Sequence, residues 1–136
     1  MQTMSGFVLT ALIAWALLLL VWMEALRTWL VLRGRVTADA FTPGNDGLSP
    51  FMQRLARAHA NCLEGLPIFG GLLVVAIITD RPQVTDVLAP ALLAARLMQS
   101  AVHLASTSVA AINVRFAAFA VQMAIGVTWA WRLLVG

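Results

Sequence analysis

The chain has 136 residues, of which 61% are apolar and 11% charged, against roughly 45–50% apolar in a soluble domain, and its mean hydropathy is +0.88. This balance excludes a disordered chain, a basic nucleic-acid-binding tail and an ordinary soluble enzyme. The isoelectric point near 11.1 arises from nine arginines and no lysine against six acids, a net charge of only +3; no basic run exceeds Arg33-Gly34-Arg35, so no nucleic-acid partner is expected.

The residues before Glu24 contain no Lys or Arg, so the basic start of a cleavable signal peptide is missing and the N-terminus reads as a membrane span. A span needs about 20 apolar residues. The first is expected over about 5–32, passing through Glu24 and Arg27, an ion pair one turn apart at the surface. Residues 33–50 hold Gly34, Pro43, Gly44, Asn45, Asp46, Gly47 and Pro50, the composition of a loop. The apolar run from Gly65 to Thr79 is too short to cross alone. The second span must therefore extend back to about 51–79 and carry Arg57, Asn61 and Glu64 within it, with Gly65 and Pro67 expected to kink it. Asp80-Arg81-Pro82 makes a turn, a third span runs over about 84–104 with Arg96 inside, and Ser106-Thr107-Ser108 links it to a fourth over about 113–134. The expected fold is one all-α membrane domain over 1–136, an up-down-up-down four-helix transmembrane bundle.

Arginine asymmetry orients the bundle. Arg33, Arg35, Arg54, Arg57 and Arg115 fall on the side of the first and third loops, whereas Arg81 and Arg132 fall on the other. Both termini are therefore expected outside the cytoplasm. Arginine without lysine in an Ala-, Leu- and Val-rich chain fits GC-rich coding, and a bacterial inner membrane is the expected location. Trp29 at one interface, and Trp129 and Trp131 at the other, would form an aromatic belt.

At 100° per residue, Arg54, Arg57, Asn61 and Glu64 share roughly an 80° arc of the second helix, and Arg96, Gln99, Ser100 and His103 about 100° of the third. Antiparallel packing brings Glu64 and Arg96 to similar depth, so they are expected to pair, with His103 near Arg57 and Arg115. Ionisable groups within a membrane are costly and mark functional sites. An excess of arginine over acid points to an anionic ligand, since the guanidinium fork suits carboxylates; the plain alternatives are a structural Glu64–Arg96 pair and arginines snorkelling to the interface. His59 lies on the opposite side of the second helix, which suggests contact with a neighbouring subunit. Only His103 accompanies it among histidines, so no metal site is expected. Cys62, the sole cysteine, reads as a small buried apolar group.

The segment Arg54-Leu-Ala-Arg57-Ala-His59-Ala-Asn61-Cys62-Leu-Glu64-Gly-Leu-Pro67 resembles the signature R-x-x-R-A-[HQ]-x-N-x-x-E-x-x-P of the membrane-associated proteins in eicosanoid and glutathione metabolism, the MAPEG family. The likeness extends over essentially the whole chain in span number, length and the placing of the termini. It implies a homotrimer that binds glutathione as co-substrate between adjacent subunits near the cytoplasmic side. Carried over by position, Arg57, His59, Asn61, Glu64, Arg96, Gln99 and His103 would contact or flank glutathione, as would Arg33 or Arg35, with Arg35 taken as the candidate. Arg115 matches the arginine proposed to stabilise the thiolate, which would attack a lipophilic electrophile or lipid hydroperoxide from the bilayer.

The chain has no tyrosine. His103 and Phe119 stand where family members carry hydroxyls, and Phe116 follows Arg115 where the prostaglandin synthase has a serine. An isomerase step through such a hydroxyl is therefore unsupported. Three functions are in view: a glutathione transferase or peroxidase, a non-catalytic MAPEG-fold membrane protein that binds an anionic ligand, and a small proton-coupled exporter using Glu64.

Overall fold

The computed structural model describes residues 2–136, and among them the regular structure is entirely helical. The helices are α1 (Met4–Leu32), α2 (Pro50–Ile78), the short α3 (Gln83–Asp86), α4 (Ala89–Ala105) and α5 (Val109–Val135), with a 3₁₀ turn at Ala38–Ala40 in the first loop. Three of them, α1, α2 and α5, are long and apolar enough to cross a membrane.

Helix limits follow local chemistry. The hydroxyls of Thr3, Ser49 and Ser108 accept the amides of Gly6, Met52 and Ala111 and cap α1, α2 and α5, satisfying N–H groups that lack intrahelical partners. Because Ser108 is a cap rather than a loop residue, α5 begins at Val109, earlier than the expected start near 113. The expected third span is divided at Val87–Leu88 into α3 and α4. Pro90, in the first turn of α4, supplies no N–H and crowds the carbonyl four residues back, so an unbroken helix through 84–104 is disfavoured. Pro67 lies inside α2 without dividing it.

Two apolar clusters show that successive long helices run antiparallel. Val8, Leu12, Phe69, Leu73, Leu92, Ile125 and Trp129 pack at one end; Ala16, Leu19, Met23, Leu55, Ala58 and Cys62 pack at the other. Between them lies a buried polar layer of Arg96, Gln99, Ser100, His103 and Gln122. Trp129 is fully buried in the first cluster, so it is a core residue and not part of an interfacial belt. Trp131 and Trp29 are exposed.

The links are tied down by the charged side chains. Asp86 Oδ1 accepts the Ser5 amide at 2.8 Å, and Ser5 Oγ lies 2.6 Å from Thr85 Oγ1; a carboxylate at the start of α1 also suits the helix dipole. Arg81 donates to the terminal carbonyls of α5 at Leu133 (3.0 Å) and Arg132 (2.8 Å). Arg27 does more than form the expected surface pair. One nitrogen meets Glu24 at 2.9 Å, but Nε and Nη2 donate to Asn45 Oδ1 at 2.9 and 2.6 Å and Nη2 also donates to the Thr42 carbonyl. Asn45 is fully buried, adopts φ 57°, a left-handed conformation that asparagine tolerates, and donates Nδ2 to the Met52 carbonyl at 2.7 Å. The loop is thus pinned to both α1 and α2.

Replacing Asn45 with alanine should cost about 2–3 kcal/mol, because it removes the acceptor of two Arg27 N–H groups and puts a residue that disfavours it into a left-handed conformation. Glu24→Ala should cost about 0.5 kcal/mol or less, as for other exposed pairs. Thermal unfolding of the two variants in detergent checks the contrast.

Candidate functional site

A cleft of about 930 Å³ opens between α2 and α5, with α4 contributing from behind. One end is polar, formed by Asn61 and Glu64 of α2 and Arg96 and Gln99 of α4; the rest is apolar, with Ile68, Leu72, Val75, Phe119, Met123 and Val127 among its walls. The two ends differ because α2 carries its polar residues before Gly65 and an uninterrupted apolar run after it.

Arg96 is the centre of the polar end and only 5% exposed. Its guanidinium donates from Nη1 to the Asn61 carbonyl at 3.0 Å and lies over the Phe69 ring at 5.8 Å, a favourable cation–π geometry. It fits because residue 65 is glycine: a Cβ there would overlap Nη2. Gly126 serves the same stack from the far side, since a Cβ at that position would stand 2.9 Å from Phe69 Cε1. Gly65 is thus the clearance for a guanidinium, and α2 continues through it and through Pro67.

The expected Glu64–Arg96 pair does not form: among the described residues the one ion pair is Arg27–Glu24. Arg96 is drawn into the Gly65 gap and spends a donor on the Asn61 carbonyl, while the Glu64 carboxylate stays exposed at the cleft. Asn61 links two parts of the site, because its Nδ2 lies 3.2 Å from His103 Nδ1. An amide nitrogen only donates, so Nδ1 accepts and the neutral ring carries its proton on Nε2. Arg115, Arg57 and Arg54 are the charges acting on His103. Gln99 accepts from Gln122 Nε2 at 2.9 Å.

The arginines divide by partner. Arg54 Nε donates to the Leu104 carbonyl at 2.9 Å, closing the C-terminus of α4. Arg57 is exposed and makes no hydrogen bond or ion pair among the described residues. Arg115 is half-buried, with Nε shielded from solvent and without a partner. Arg33 and Arg35 both sit over the Trp29 ring at 5.4 Å, so Arg35 does not line this cleft. Neither does His59, whose charged neighbours are Arg27 and Glu24 of α1. Cys62 is buried with Sγ 3.4 Å from Ser100 Oγ. Among the described residues no cluster of His, Cys, Asp or Glu could hold a metal ion.

Of the residues singled out in the sequence, Asn61, Glu64, Arg96 and Gln99 line one cleft, and His103 is bonded to Asn61 at its edge. Sequence reasoning misses Phe69, Gln122 and Gly126. A buried arginine needs a face to lie on and a gap to enter, and the small and aromatic residues opposite Arg96 were the available signal. Gly65→Ala should lower stability by about 1–3 kcal/mol through overpacking. Gly71→Ala, where a Cβ meets nothing within 4 Å, should be neutral or gain up to about 1 kcal/mol from helix propensity; paired thermal melts test this.

Comparison with known proteins agrees with the local signature. The model of the MAPEG family matches residues 5–135, essentially the whole chain. No curated protein and no solved structure matches it. With three helices fit to span a bilayer and a family match over nearly its full length, the chain is an integral membrane protein and belongs to the MAPEG family.

Proposed function

We propose that the protein is a glutathione transferase or peroxidase acting on lipophilic substrates. Helices α1, α2 and α5 and the α3–α4 pair would all cross the bilayer, with both termini outside the cytoplasm, and three copies would assemble around shared sites. The observation that carries this reading is the cleft itself, where unpaired charge and hydrogen-bond donors at one end meet an apolar trough at the other. MAPEG proteins are generally glutathione-dependent, and the residues present suit that tripeptide. Its carboxylates match guanidinium groups, and its ammonium matches the unpaired carboxylate of Glu64. The partnerless, shielded Nε of Arg115 is a donor without an acceptor, an arrangement that otherwise costs about 1–3 kcal/mol. Arg35 and His59 lie away from this chain's cleft, and in a trimer they would serve a site completed by a neighbouring copy.

Glutathione supplies a nucleophilic sulfur, with an unperturbed thiol pKa near 8.5. The chain's part is electrostatic. Arg115 and Arg57, grouped around His103, favour the anionic form of a thiol placed among them. A guanidinium stays protonated, so neither arginine takes the proton. His103, accepting from Asn61 at Nδ1, would present its Nε2–H for orienting an acceptor. The apolar trough, continuous with the hydrocarbon region, would hold the lipophilic partner and exclude water. Phe119 lines the trough and brings no hydroxyl, which favours addition or peroxide chemistry over isomerisation that needs one. The same feature supports a second reading, a MAPEG-fold protein that binds an anionic ligand without turnover.

In the presence of glutathione the purified protein should show ultraviolet thiolate absorbance that titrates one or more pH units below 8.5, since opposite charge lowers a thiol pKa. Arg115→Ala should return the midpoint toward 8.5, a roughly tenfold loss of thiolate at neutral pH for each unit. Saturable binding with no thiolate signal in the wild type would select the non-catalytic reading.

A further inference from the structure

Gln122 is fully buried on α5, and neither the family signature nor the proposed chemistry uses it. Its Nε2 donates to two acceptors, the Ala118 carbonyl at 3.1 Å and Gln99 Oε1 at 2.9 Å. The backbone carbonyl can only accept, so the Gln122 atom facing it must be the amide nitrogen. That nitrogen in turn can only meet the oxygen of Gln99. The orientation of Gln99 is therefore dictated through Gln122 by one helix carbonyl.

Gln122 Oε1 is buried with no partner, so the pair is not arranged to satisfy itself. Turning the Gln122 amide over would set its oxygen against the Ala118 oxygen. The remaining group is Gln99 Nε2. Among the described residues it has no hydrogen-bond partner, and unlike Gln122 Oε1 it is not shielded from solvent. Since Gln99 lines the cleft, its free N–H groups face that space. Arg96, one turn earlier on α4, is a donor-only group lining the same end.

We propose that Gln122 is a positioning residue that makes Gln99 present N–H donors, and not its carbonyl, to the cleft, so that this wall selects a carboxylate-bearing ligand. The choice of glutathione as probe rests on the function proposed above; the amide orientation does not.

The test compares wild type, Gln122→Met, Gln99→Met and the double variant, since methionine keeps the chain length of glutamine and removes the amide. First, side-chain amide spectra by ¹⁵N NMR are recorded on the unliganded protein in detergent, with Gln99 assigned by its loss in Gln99→Met. In wild type the Gln99 amide protons should exchange with solvent while those of Gln122 are protected, and Gln122→Met should shift the Gln99 resonances. Second, binding of glutathione is compared with that of glutathione esterified at both carboxylates. The preference for the free acid should fall roughly five- to tenfold in Gln122→Met, the scale of one charge-assisted hydrogen bond. Gln99→Met should show the same fall, and the double variant no further fall. A merely structural Gln122 would lower stability and leave the preference unmoved. An unchanged preference in Gln122→Met, or unshifted Gln99 resonances, overturns the inference. If wild type binds neither probe, the glutathione reading falls, and the amide spectra alone decide the orientation.

Discussion

Burying a guanidinium in a helix bundle this apolar constrains everything around it. The Arg96 charge cannot be neutralised by losing a proton, and an unpaired charge at membrane depth is costly. The structure meets that cost with a carbonyl, an aromatic face and the absence of a Cβ. Asn61 provides the carbonyl, Phe69 the face and Gly65 the clearance; Gly126 leaves room for Phe69 in turn. Three helices are thereby committed to one geometry, and that geometry leaves the rest of the guanidinium at the polar end of the cleft.

The remaining arginines sort by a similar logic. Arg27, Arg54 and Arg81 spend their donors on loop or helix-end acceptors, where a fixed fork of donors is well matched to carbonyl and amide oxygens. They hold the first loop, the end of α4 and the end of α5. Arg57 and Arg115 have no such partners and stand near His103. The high isoelectric point of this apolar chain thus has two origins, structural closure of helix ends and a concentration of positive charge beside the cleft.

Much of this is legible from the residues alone. The four apolar stretches, the polar arc of α2 and the facing arc of α4 follow from hydropathy and helical period, and the Arg54–Pro67 signature agrees with a family match over 5–135. What escaped depends on contacts that period cannot reveal. Ser108 looks like loop but caps α5, and Pro90 breaks a stretch whose hydropathy is continuous. Trp129 has the composition of an interfacial anchor, yet it fills the core between α1, α2 and α4. The expected Glu64–Arg96 pair fails because similar depth does not fix where a long side chain goes; the Gly65 gap does. Arg35 and His59 fall outside the cleft of this chain, Arg35 because it lies over the Trp29 ring and His59 because it faces Arg27 and Glu24 of α1, placements that residue spacing does not reveal.

The central claim is that the polar end of this cleft receives glutathione. The most direct measurement is the thermal midpoint of the purified protein in detergent across a glutathione titration, run beside Arg96→Gln. A ligand that binds only the folded state stabilises it by about 2.7 kcal/mol at a hundredfold excess over its dissociation constant. The account predicts a saturable rise in the wild-type midpoint that is strongly weakened in the variant. A wild-type midpoint that does not move with glutathione, or an equal rise in Arg96→Gln, would contradict it.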